Sequence, residues 1–122
     1  MKAMIAGMLM ICVASDALAQ AHSPAGLQGA ISLIANKFVQ VFRISIPPHA
    51  RTPMHEVTPR VVVWLSDAHF VDHFADGTTR EERRRAGDAE WVSARRHAGE
   101  NLADTPMEFI AVVIPTAGRY PH

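Results

Sequence analysis

The sequence predicts an all-β fold: a single antiparallel barrel preceded by a helical signal peptide. Three observations carry this. Stretches that alternate apolar and polar residues, rich in β-branched and aromatic types, recur through the middle of the chain. They are separated by Gly, Pro and Asp turns rather than by segments with an apolar helical stripe. The 122 residues leave, behind a leader, about a hundred, enough for one core but not two.

The opening "MKAMIAGMLMICVASDALAQAHSPAG" has one early cation, Lys2, then an unbroken apolar run from Ala3 to Ala14. Small residues follow as Ala17-Leu18-Ala19 or Ala19-Gln20-Ala21. This is the pattern of a secretory signal peptide over residues 1–19, cleaved after 19 or 21, and it predicts a periplasmic or secreted product. The apolar run falls short of the ~20 residues that span a bilayer, so no membrane segment is expected after cleavage. The single cysteine, Cys12, lies inside the leader, which would leave the mature chain without thiol ligands or disulfides. Twelve basic and twelve acidic residues balance, and no basic patch carries interleaved aromatics. Nucleic acid is therefore not expected as a partner.

Residues 20–30, with "AHSPAGLQG", read as a flexible start, and 31–118 as the barrel domain. The first strand is "NKFVQVFRISIPP", with Phe38, Gln40, Phe42, Ile44 and Ile46 on one face and Pro47-Pro48 as its stop. The second, "VVVWLS", is apolar on both faces, which suits a central strand. The third, "HFVDHF", is closed by the turn Ala75-Asp76-Gly77-Thr78, and the last, "EFIAVVIP", by Pro115. Between them "TTREERRRAGDAEWVSARRHAGEN" offers both a capping box at Thr79/Glu82 and a helix-breaking Gly87. Its arginines form no apolar stripe, so short strands are favoured, with the charge run as a solvated face.

Of seven histidines, His55 and His97 have informative surroundings. His55 stands ahead of "VVVWL". Further on come "DG" at Asp76-Gly77, "GD" at Gly87-Asp88, "HAGEN" from His97 to Asn101, and the closing "PMEFIAVVIP". In order and spacing this resembles the small single-domain members of the cupin superfamily, from about Asn36 to Pro115. The resemblance implies a cupin-type antiparallel jelly-roll barrel. It also implies a divalent metal held by three histidines and a glutamate. His55 and His97 match two of those positions, and Asn101 matches the motif's asparagine. Val57 stands at the second histidine position, Val61 or Val62 at the glutamate, and His49 at the first glycine.

Two imidazoles are fewer than the three protein ligands usual for a catalytic zinc. His69 and His73, four apart, share a face and could complete a site with His55 and His97 if that face looks inward. The buried area of Phe70 and Phe74 favours the opposite, with Asp72 then on the core face. His49 reads as a loop histidine that could lean over the barrel mouth. The expected site is the open end of the barrel, with His55, His97, Asn101 and Arg96 as ligand-binding residues. One imidazole there could work as acid or base.

Three classes of function follow. The first is a binding module that holds a small molecule without a full metal site. The second is a metal-dependent enzyme of oxygenase or isomerase type, using His55 and His97 with substitute ligands and Mn, Fe, Zn, Cu or Ni. The third is a structural or partner-binding barrel. A terminus cut to Gln20-Ala21-His22 would add a planar four-nitrogen site for Cu(II) or Ni(II). A homodimer through a barrel face, with Trp64 on that surface, is a further expectation.

Overall fold

The computed structural model describes residues 29–114. The leader, its cleavage sites, Cys12 and Gln20-Ala21-His22 lie outside the described residues. Within them there are nine strands and no helix: β1 (Ala30–Ala35), β2 (Gln40–Ile46), β3 (His55–Val57), β4 (Arg60–Trp64), β5 (Ala68–Phe74), β6 (Thr79–Arg84), β7 (Ala89–Val92), β8 (Arg95–Asn101) and β9 (Met107–Val113). Every strand pairing is antiparallel. One sheet has five strands in the order β1-β2-β9-β4-β7, and the other has four, β3-β8-β5-β6.

The core lies between the sheets and follows the period-two pattern. Phe42, Ile44 and Ile46 of β2 are buried, as are Met107, Ala111 and Val113 of β9 and Val62 and Trp64 of β4. From the other sheet Ala68 and Phe70 close on them. Trp64 stacks on Phe70 with ring centroids 5.3 Å apart and meets Phe109 at 4.9 Å. Aromatic packing of this kind adds to the stabilisation from buried area.

Four expectations need correction. Phe38 is 66 % exposed because the chain turns over residues 36–38, and the alternating strand begins only at Gln40. The segment ahead of it is itself a strand, β1, an edge strand with a register shift between Ser32 and Ile34. It starts beside Gly29, whose φ of 80° and missing Cβ let Ser45 approach; a Cβ there would lie 2.5 Å from the Ser45 carbonyl oxygen. Trp64 is 5 % exposed and belongs to the core, so it cannot present a barrel face to a partner; the exposed tryptophan is Trp91.

The fourth correction positions the site. His55 and "VVVWL" do not share a strand. The chain leaves the four-stranded sheet after Val57 and enters the five-stranded one at Arg60, crossing through Thr58 and Pro59. "TTREERRRAGDAEWV" forms β6 and β7 as favoured, but its charges are not all solvated: Glu82, Arg84 and Glu90 are half-buried. Arg84, Glu82 and Arg80 stand opposite Ala68, Phe70 and Asp72 on the barrel's inner side.

Candidate functional site

The barrel encloses a cavity of about 300 Å³. The antiparallel register of β3 and β8 sets His55 directly opposite His97, and their rings meet edge-on with centroids 4.8 Å apart. β5 runs along the other side of β8 and pairs Phe74 with His97 and Asp72 with Gly99. Asp72 is thus the diagonal neighbour of His97 on the inner face, within side-chain reach.

Each imidazole is oriented through Nδ1. His55 donates from Nδ1 to the Pro53 carbonyl at 2.7 Å, and His97 donates from Nδ1 to Asp72 Oδ1 at 2.9 Å. In the neutral rings this leaves both Nε2 atoms with free lone pairs. Burial lowers the pKa of His55, and the neighbouring His97, Arg60 and Arg95 lower it further, outweighing the Pro53 hydrogen bond. His55 is therefore held neutral near pH 7.

Asp72, 4 % exposed, divides its carboxylate between His97 and Arg95, whose Nη2 lies 3.2 Å from Oδ2. Arg95 Nε is fully buried and meets no acceptor among the described residues. Arg60 enters from the five-stranded sheet and is 8 % exposed. It donates from Nε to the Thr58 carbonyl and from Nη2 to Thr58 Oγ1, and no carboxylate among the described residues pairs with it. Burial and the nearby Arg95 both lower its pKa. Across the cavity Arg84 forks onto Glu90 and reaches Glu82 at 2.9 Å, while the Trp64 indole donates to Glu90 at 2.7 Å.

His55 and His97 are thus brought together inside the barrel, and the other expected site residues are not. Arg96 points away and pairs with Glu56 on the outer face, because it alternates with the inward Arg95 and His97. Asn101 is fully buried but faces no ligand: its amide donates to the carbonyls of Ile46, Pro47 and Thr105 and accepts from the Ala103 N–H. His69 and His73 face outward, onto Glu81 and Glu100, with Phe70 taking the core position between them. His49 sits in an exposed loop, 2.7 Å from Asp104.

Sequence reasoning missed Asp72 and Arg60 as members of the site, and of the two arginines bordering His97 it chose Arg96 where Arg95 is the inward one. Period two did place Asp72 on the core face once Phe70 was taken as inward. Arg60 carried a weaker signal, a cation directly ahead of three valines. No group of three or more His, Cys, Asp or Glu side chains among the described residues could hold a metal ion. Val57 and Val62 are both buried in the cavity wall, and two arginines lie beside the two imidazoles. This donor set does not fit a resident divalent cation.

No protein-family description matches the chain, and no curated protein does. Solved structures do match. A cupin domain from Bordetella pertussis Tohama I aligns over 77 % of this chain and 97 % of its own, with a TM-score of 0.64 and 23 % identity. The chain has the cupin fold. A cupin protein from Bacteroides fragilis aligns over 76 % and 80 %, with a TM-score of 0.57 and 18 % identity. Oxalate decarboxylase from Bacillus subtilis, an enzyme with Mn(II) centres, shares the cupin barrel over 79 % of this chain and 28 % of its own. Its TM-score is 0.52 at 21 % identity. At these identities the likeness concerns the barrel and leaves chemistry to the residues inside it.

Proposed function

We propose that this cupin barrel binds a small molecule in its central cavity without a complete metal site. The observation that carries the reading is the cavity of about 300 Å³, whose largely apolar surface receives two imidazoles and several charged side chains. That combination is typical of small-molecule sites. Two imidazoles with free Nε2 atoms and two incompletely bonded guanidinium groups supply the polar contacts. The signal-like leader adds the proposal that binding takes place outside the cytoplasm.

A second reading is a metal-dependent enzyme, and one observation favours it. Both imidazoles anchor Nδ1 and leave Nε2 free, as metal-bound histidines do. Against it stand the buried valines at the two remaining ligand positions and the two arginines beside the imidazoles, Arg60 and Arg95.

Metal analysis separates the two. The protein is purified without chelators and incubated in turn with Mn(II), Fe(II), Zn(II), Cu(II) and Ni(II), beside a His55→Ala/His97→Ala variant. The binding reading expects far less than one metal per chain in both. Near-stoichiometric metal that disappears in the variant supports the enzyme instead.

A further inference from the structure

The charges lining the cavity are not all paired, and of them Arg80 is largely exposed to solvent. Four arginines contribute, Arg60, Arg80, Arg84 and Arg95, against three carboxylates, Asp72, Glu82 and Glu90. The carboxylates are all engaged. Asp72 holds Arg95, Glu90 and Glu82 hold Arg84, and Glu82 also lies 3.6 Å from Arg80. Arg60 is left over, more than nine-tenths buried and bonded, among the described residues, only to Thr58. Arg95 meanwhile keeps a buried Nε–H that meets no acceptor among the described residues. A buried cation without a counter-ion, beside an unused donor, is costly unless something else supplies the charge.

We propose that the missing partner is the ligand: a monocarboxylate with an apolar body, its carboxylate seated between Arg60 and Arg95. The inference rests on the reading of the cavity as a small-molecule site and names what that site takes. Arg60, a buried cation that no carboxylate among the described residues pairs with, calls for a single negative charge, which a carboxylate carries and a phosphate monoester exceeds at neutral pH. The planar guanidinium matches a planar carboxylate. The body has an apolar wall to lie on, formed by Ile44, Val62, Phe70 and Met107.

The test compares 3-phenylpropionate with its neutral amide, 3-phenylpropionamide, titrated at pH 7.5 by calorimetry and against tryptophan fluorescence, to which Trp64 and Trp91, both in the cavity lining, contribute. The acid is expected to bind at least about tenfold more tightly than the amide. Arg60→Gln is expected to erase that preference while still binding the amide, which also reports that the cavity is intact. Arg60→Lys, which keeps the charge but loses the fork, is expected to retain part of it. Equal binding of acid and amide by the wild-type protein overturns the carboxylate inference and leaves the small-molecule reading standing. Binding of neither overturns both. An undiminished preference in Arg60→Gln removes Arg60 as the seat. The wild-type comparison needs no variant, so a misfolded substitution does not blunt the test.

Discussion

Asn101 and Arg60 are both buried polar side chains, and they differ in how completely they are bonded. The Asn101 amide meets three carbonyls and one N–H, tying the end of β2 to the loop that follows β8. Asn101→Ala strands those groups away from water and should cost about 2–4 kcal/mol, read as a lower urea midpoint with unchanged slope. Arg60 carries a charge that no described carboxylate offsets, so Arg60→Met should leave the ligand-free protein as stable or about 1 kcal/mol more stable. A clear fall in its melting temperature would show that the Thr58 hydrogen bonds matter more than the buried charge. His55 gives a pH signature. Its pKa is lowered in the fold, so the unfolded chain takes up the proton first. Its contribution is complete above about 6.5, the unfolded value, and is lost as pH falls from there toward the lower native value. Thermal unfolding from pH 7.5 to 5.5 should show this loss, and His55→Asn should flatten it. Glu90 and Glu81, whose pKa values are also lowered, titrate in a more acidic window and would leave that comparison clean.

Among the strands, legibility followed the source of each signal. β2 alternates cleanly because it packs one face on the core, and the sequence displays that. β1 was hidden because an edge strand with most of its residues exposed has no burial pattern to show. "MHEVTPRVVVWL" looked continuous because local pattern does not register a change of sheet, although Pro59 stood at the crossing. The arginine-rich run was legible as strands but not as a wall of the cavity, since charge is normally a mark of the surface. In β6 and β7 charge meets charge across the gap between the two sheets: Arg84 lies on an edge strand of one, Glu90 on an edge strand of the other. Arg84→Met leaves Glu90 with only the Trp64 indole among the described residues. It should destabilise the protein by about 1–3 kcal/mol, with the loss of protection concentrated in residues 79–92. An even loss over all nine strands would argue that the pair does not close this seam.

Taken together, the barrel and its apolar lining were readable from the sequence, while its polar contents were readable only in part. His55 and His97 could be matched to a motif. Asp72, Arg60 and Arg95 could not, because what unites them is a meeting of three strands from two sheets. That meeting depends on the crossing at Thr58 and Pro59, which sends Arg60 into the sheet facing Arg95. An anion gripped by both arginines is then a strut between layers that otherwise meet largely through apolar contact. Occupancy should damp the breathing of one layer against the other. With a bound carboxylate, the amides of β4 and β8 should exchange with deuterium more slowly and together, by a factor that follows ligand concentration over Kd. Slowing confined to β8 would mean that the ligand leans on one layer alone.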